Sequence, residues 1–434
     1  MSELKRHMGL FHLTMYGVGL ILGAGIYVLI GEAAGFAGNA LWISFILGAI
    51  VASFAGLSYS ELSALFPRAA AEYVFVKEGF RSDFIGFIVG WLTILTSIIV
   101  AATVALGFGG YMEELTNIPI LISALAILGV LSFVNFIGIK ESAWANTIFA
   151  IITIGGLGVI IFIGFSFPIE TDIDYFENPM GFNGIILAFI LVFFAFIGFE
   201  DLANVAEEVK RPKKTMPKGI MLSVLISTII YILVSLASIR IVGWEQLAES
   251  SAPLAFVAQQ KLGEQGHFIL SIIALFATAS TILITLVAGA RIFYGMARDG
   301  SLPSKLGLIH RKTKTPWIAV VLIFVTAIGF SFVGDIVIVA NIVVFAVVVT
   351  FAMINLAVIL LRYVKPDEER PYRVPINIGK FPILPLFGLG ATIYMATQFE
   401  IEIILVGLGI IASGAIFYLV MYKIKNHQTE GSSK

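Results

Sequence analysis

The chain has 434 residues, of which 59% are apolar and only 13% charged, with a mean hydropathy of +0.99 and a formal net charge of −1. Soluble domains carry about a quarter charged residues, so this composition points to a membrane protein, and the near-zero charge gives no sign of a nucleic-acid partner. The absence of cysteine excludes disulfides and thiolate metal sites. The five scattered histidines form no HExxH pair, and no GxxxxGK[ST] loop is present to hold a nucleotide.

A run of about 20 apolar residues can cross a bilayer as a helix. Twelve such spans are predicted, at 11–36, 41–65, 84–111, 118–138, 144–167, 182–205, 218–241, 267–296, 316–333, 336–363, 379–397 and 400–423. The opening run follows Lys5, Arg6 and His7 as a secretory signal would. It is too long for one and is broken by glycines, so it reads as a retained span. With the N-terminus inside, 25 of the 27 Lys and Arg fall on the cytoplasmic side, the exceptions being Arg240 and Lys261. That bias fits the positive-inside rule and predicts a multi-pass protein of the cell membrane with both termini cytoplasmic. The external 168–181 segment carries Glu170, Asp172, Asp174 and Glu177 and no Lys or Arg. The basic 210–218 loop suits topology anchoring and attraction to anionic headgroups. The 240–266 connection is long enough for a short helix, and the polar tail 426–434 is expected to be disordered.

The first span places Gly17, Gly19, Gly23 and Gly25 within ten residues. A glycine inside a helix costs about 1 kcal/mol relative to alanine, and lipid tolerates no unsatisfied backbone polar group. A helix broken at Gly23-Ala24-Gly25 therefore needs a partner for its freed N–H groups, and a substrate carboxylate would serve. Span 6 holds a second interruption, Phe196-Ile-Gly-Phe-Glu-Asp201. Spans 1 and 6 are five apart, the offset of an inverted five-span repeat, and broken helices at matching places in two halves mark transporter binding sites. The outer half of span 1 would present the N–H groups of Ala24, Gly25 and Ile26 with a positive dipole end. The outer half of span 6 would end near Phe196 and Ile197, presenting carbonyls suited to an ammonium. Together they fit an α-amino acid. Close helix packing through Gly19 and Gly23 is the competing reading of the glycines.

Four stretches, taken together, resemble the amino acid–polyamine–organocation superfamily, in its cationic amino acid transporter-like branch. They are Gly19-Leu-Ile-Leu-Gly-Ala-Gly-Ile-Tyr-Val28; Phe194-Ala-Phe-Ile-Gly-Phe-Glu200 running into Ala206-Glu-Glu-Val-Lys-Arg-Pro212 and Pro217-Lys-Gly-Ile220; Arg291-Ile-Phe-Tyr-Gly-Met-Ala-Arg-Asp-Gly-Ser-Leu-Pro303; and Arg370-Pro-Tyr-Arg-Val-Pro375. The resemblance covers roughly residues 9 to 380. It implies an all-α membrane protein with the leucine-transporter-like fold. Residues 1–363 would form a ten-helix core of two inverted repeats (11–167 and 182–363), 364–425 two further helices, and 426–434 the cytoplasmic tail. It implies alternating access, with Gly23, Ala24, Gly25 and Ile26 on the carboxylate, the carbonyls of Phe196, Ile197 and Phe199 on the ammonium, and Phe194 as an aromatic gate or an ordinary packing residue.

Coupling is less determined. Glu200 is the acid nearest the inferred site, and an intramembrane carboxylate is a functional candidate. It could bind a proton, favour a cationic substrate or steady the site, or it could cap the inner half-helix. Asp201 is a weaker candidate. Proton-coupled relatives carry a lysine in span 5, where this chain has Thr153 and no lysine at all, which departs from the family pattern. Ser280 and Thr281 in span 8 could join carbonyls near Leu20 and Gly23 around sodium, or could bond back to their own helix. Glu61 could pair with a cytoplasmic arginine as an inner gate or a structural ion pair. Glu207 and Glu208 could latch onto Arg291 or Arg298 or be solvated. Asn341 and Asn355 read as interhelical hydrogen bonders.

The expected function is secondary active amino-acid transport, with proton-coupled uptake of neutral or broad-range L-amino acids. A cationic amino-acid transporter or an exchanger is the alternative. A channel or a non-transporting amino-acid sensor stands as the reading of another class, and no catalytic constellation suggests an enzyme. No cofactor is expected; the coupling ion would be a proton or sodium. The partners are the amino-acid substrate and the bilayer, with no nucleic acid or nucleotide, and a monomer is the expected state.

Overall fold

In a hydrocarbon layer a helix satisfies its own backbone, and that is the form the apolar runs take. The computed structural model describes residues 6–167, 173–250, 252–332 and 336–432, so Glu170 and Asp172 of the acidic segment lie outside the described residues. In chain order the helices are α1 (Leu10–Ile21), α2 (Ala24–Ala37), α3 (Leu41–Leu65), α4 (Ala71–Phe80), α5 (Asp83–Thr116), α6 (Ile120–Ile137), α7 (Ile139–Ser166), α8 (Gly181–Phe196), α9 (Asp201–Asn204), α10 (Pro212–Glu249), α11 (Pro253–Arg298), α12 (Trp317–Phe330), α13 (Ile336–Val364), α14 (Ile383–Ala396) and α15 (Ile401–Ser432). Among the described residues, ten stretches are long and apolar enough to cross a membrane. The predicted ninth and eleventh spans, α12 and α14, are each 14 residues, about 21 Å at 1.5 Å per residue. A proline precedes each of them, Pro316 and Pro382.

The two broken helices lie at the centre. α1 packs on α7 and α10, and α2 packs on α8 and α10. α3, α5, α11 and α13 enclose them, and α15 lies outside against α5 and α13. Phe162, Phe182, Ile401 and Ile416 are more than 60% exposed, which suits a lipid-facing surface.

Three features differ from the sequence-based expectations. A helix, α4, joins spans 2 and 3. At ten residues with Glu72, Lys77 and Glu78 in it, it is too short and too charged for a hydropathy window, yet Glu72, Tyr73, Phe75, Val76 and Gly79 are buried along it. The 240–266 connection carries two short helical stretches, 244–249 and 253–262, where one was expected, set off from the long helices by Gly243 (φ 73°) and Gly263 (φ 65°), with residue 251 outside the described set. The helix α15 runs on through the polar tail to Ser432 instead of ending near 423 in a disordered segment.

One end of the bundle collects the basic loops. Met8 bridges Val209 in parallel, and the Lys210 N–H donates to the Met8 carbonyl (2.8 Å). Glu61 is a buried structural anchor there. It takes a bidentate pair from Arg362 (2.6 and 2.8 Å) and the Val374 N–H (2.8 Å), with Arg370 Nε at 3.3 Å. Glu208 pairs with fully buried Arg291 (2.9 Å), which also bonds Asn135, while Glu207 pairs with Arg298. These two glutamates are thus paired with the arginines rather than solvated. Asn355 accepts from Ser58 Oγ (2.7 Å) across α3 and α13.

Candidate functional site

The first break falls where the glycines are. α1 ends at Ile21, the Leu22 and Gly23 N–H groups still bond back to Val18 and Leu20, and α2 begins at Ala24. No side chain at its own N-cap covers the start of α2. Thr281 of α11 does so from outside, its Oγ1 accepting the Ala24 N–H (3.3 Å). A Cβ on Gly23 would lie 1.7 Å from that oxygen, and one on Gly25 would lie 2.5 Å from the Ala195 Cα. Both glycines therefore serve close approach as well as the break, and the two readings of the motif hold together.

The second break follows α8. Ile197 is extended (ψ 135°) and Gly198 has φ 127°, a conformation L side chains rarely adopt. Glu200 turns back so that its Oε2 accepts the Gly198 N–H (2.7 Å). Its carboxylate therefore steadies the bend instead of capping α9, the helix it precedes. The Phe199 carbonyl already accepts the Leu202 N–H (3.3 Å). Phe199 packs its ring between Tyr59 and Phe351, and Phe196 turns its ring edge to Tyr231 (5.2 Å).

Between the breaks lies a small cavity. It gathers Ala24, Gly25, Phe194, Ile197, Glu200 and Thr281 from the residues singled out in the sequence, together with Asp201. Gly23, Ile26, Phe196, Phe199, Thr153 and Ser280 do not line it. Gly23 shapes it through the Thr281 contact, and Phe196 and Phe199 are buried behind it. Ser280 Oγ instead donates to the Gly19 carbonyl (2.9 Å) and lies 2.5 Å from Asn146 Oδ1. Asn146 Nδ2 reaches the carbonyls of Met15 and Tyr16 (3.3 and 3.4 Å). A neutral amide thus ties α7 to α1, two helical turns from Thr153, whose buried hydroxyl has no hydrogen-bond partner among the described residues.

Several site residues were not singled out in the sequence. Tyr231 of α10 is the main one: its hydroxyl donates to the carbonyls of Ile21 and Ala195 (the latter at 2.8 Å), the trailing ends of both broken helices. α5 contributes Thr93, Thr96 and Ser97, and α13 contributes Thr350 and Phe351. The hydroxyls of Thr93, Ser97, Thr285 and Thr350 bond back to their own helices (2.7–3.0 Å), which leaves oxygen lone pairs toward the cavity. Glu72 of α4 closes one end. A helix start on one side, a helix end on the other and a ring of neutral hydroxyls can hold a small zwitterion, and no nucleophile–base pair is assembled here for covalent chemistry.

Residues 8–432 match the family model described as amino acid permease. Among the similar proteins is the branched-chain amino acid permease BcaP of Bacillus subtilis, 32% identical over 406 residues, covering 88% of this chain and 86% of that one. The methylthioribose transporter of the same organism is 30% identical over 422 residues, 91% and 88% of the two chains. The vacuolar cationic amino acid transporter 2 of Arabidopsis thaliana is 30% identical over 395 residues, 85% of this chain and 61% of its own length. All of these are permeases or transporters by name, and none is an enzyme.

Proposed function

From the premise that the chain belongs to the amino acid permease family, and so is a multi-pass membrane transporter of amino acids, we propose that it is a secondary active carrier that takes up neutral or broad-range L-amino acids with a proton. The observation that carries this reading is the pair of breaks facing one cavity. The N–H groups of Gly25 and Ile26 at the start of α2 meet the carboxylate, joined by that of Ala24 when the carboxylate displaces Thr281 Oγ1, with Gly23 giving the room. The carbonyls of Phe196 and Ile197 meet the ammonium, with Phe199 behind them, and Phe194 closes over the solute. The five-span offset of the breaks supports an inverted repeat of residues 11–167 and 182–363, with 364–425 added to it. Names among the relatives include branched-chain and cationic amino acids. The hydroxyls and the apolar part of the wall, with Phe194 and Phe351, support the neutral class.

For coupling, both hydroxyls that a sodium site would use already have protein partners: Ser280 at Gly19 and Asn146, Thr281 at Ala24 and Ala277. The acids on the cavity wall support a proton instead. The clustering of the basic loops at the end where Met8 meets Val209 supports cytoplasmic termini in the cell membrane. The test is uptake of a labelled amino-acid mixture into proteoliposomes, with an inward proton or sodium gradient imposed separately. Proton-driven accumulation is expected. Sodium-driven accumulation would move the coupling site to α1 and α11, exchange without accumulation would make the protein an exchanger, and no flux of any amino acid would sink the reading.

A further inference from the structure

Glu72 belongs to neither break and is 1% exposed in the first turn of α4. Its Oε2 accepts from Asn204 Nδ2 (2.9 Å), and its Oε1 lies beside the Tyr59 hydroxyl without a hydrogen bond of ordinary geometry among the described residues. The same Asn204 carboxamide accepts the Ala71 N–H (2.8 Å), and Glu207 accepts the Ala69 N–H (3.0 Å). The start of α4 is therefore tied to the chain that follows the second break, and Glu72 sits at the seam, on the cavity wall.

The titratable groups that face Glu72 are Tyr59 from α3 and Glu200 and Asp201 from the break. From α5, α11 and α13 the cavity receives only hydroxyls and apolar groups, and no lysine, arginine or histidine lines it among the described residues. With no cation on the cavity wall among the described residues, the neighbouring carboxylates of Glu200 and Asp201 oppose charge on Glu72. Burial pushes Glu72 up to about 7, against the pull of the Asn204 hydrogen bond.

We infer that Glu72 is a proton-binding residue of the transport cycle, protonated while α4 and the segment after the second break enclose it, and deprotonated when that seam opens. Opening lets water reach the carboxylate and stabilises its charged form. The proton passes to solvent at the basic face, and no other bond forms or breaks. Glu72 would thus do, from a connecting helix, the proton handling that span 5 lacks the lysine for. The inference rests on the proton-coupled reading above.

Proteoliposomes carrying wild type, Glu72→Gln or Asn204→Ala test it, with counterflow exchange and proton-driven accumulation measured in parallel over a range of pH. Glutamine keeps an acceptor for Asn204, so exchange by Glu72→Gln is expected to fall less than its proton-driven accumulation. Its proton-driven accumulation is expected to be lost, because glutamine has no carboxyl proton to bind and release. Asn204→Ala removes a bond that favours the carboxylate, so the pH midpoint of accumulation is expected to move upward. Wild-type accumulation left intact in Glu72→Gln overturns this inference alone, and equal loss of exchange and accumulation makes Glu72 structural and overturns it too. If Glu72→Gln does not fold, an unmoved midpoint in Asn204→Ala overturns it. No proton-driven accumulation by wild type overturns the coupling reading and, with it, the inference.

Discussion

The two breaks are held in opposite ways. The first is held from outside: Thr281 takes the Ala24 N–H, while Ser280 and Asn146 fasten the chain one turn back. The second is held largely by itself, through Glu200 on the Gly198 N–H and the short-range bonds from Asp201, Leu202 and Ala203. The first break is thus a product of packing, open to damage from neighbouring helices. The second is a product of local chemistry, open to damage at its own residues. Among the described residues, Tyr231 hydrogen-bonds at both.

Gly25→Leu should break this arrangement most. Its Cβ alone would meet the Ala195 backbone at 2.5 Å, and overpacking of this kind costs about 1–3 kcal/mol before the rest of the side chain is placed. Uptake should fall below detection in a protein that still elutes as a folded species. Tyr231→Phe comes next. It strips a donor from two buried carbonyls, and a buried group left unsatisfied costs about 1–3 kcal/mol. A loss of about tenfold or more in uptake at low substrate concentration is expected, together with a lower melting temperature.

The Glu200 pair sharpens the contrast. Glu200→Leu leaves the Gly198 N–H without its acceptor and should weaken substrate binding by about tenfold, again from an unsatisfied buried group. Glu200→Gln keeps an acceptor and should leave counterflow within about fivefold of wild type, since a retained neutral hydrogen bond differs from a charged one by only about 1 kcal/mol. Similar losses in both variants would show that charge, not the bend, is what Glu200 supplies. Thr281→Val tests the other break, since it removes an outside partner of the first one. A rise in apparent KM of about threefold to tenfold follows from one lost hydrogen bond of about 0.5–1.5 kcal/mol, and no change would mean the start of α2 needs no outside support.

The spans and breaks were legible because each is a property of consecutive residues: an apolar run, or Gly23-Ala24-Gly25 and Gly198 inside one. Phe194, Glu200 and Thr281 could be placed near the site for the same reason, since each lies on a span whose place was already set. Tyr231, Thr93, Ser97 and Glu72 were not legible. Each is a single polar residue on another element, brought to the cavity by packing over long sequence distances; Tyr231 bonds Ile21 from 210 positions away. Asn146 shows the same limit: the span-5 comparison drew attention to Thr153, while the side chain that touches α1 lies two turns earlier. α4 escaped notice because charge and length hid its buried face, and with it the seam at Asn204.

The Tyr231 hydroxyl also bears on how the two halves of the molecule can change over evolutionary time. One nucleotide separates a tyrosine codon from a phenylalanine codon, and the ring would still fit between Phe45 and Phe196. The accessible neutral-looking step is therefore the damaging one, because it withdraws a single hydrogen on which both halves draw. A comprehensive mutational scan should find position 231 intolerant of a substitution that ordinary core positions accept. Drift in either half would be bounded by that shared atom, so the halves are not free to diverge independently at the places where their helices stop.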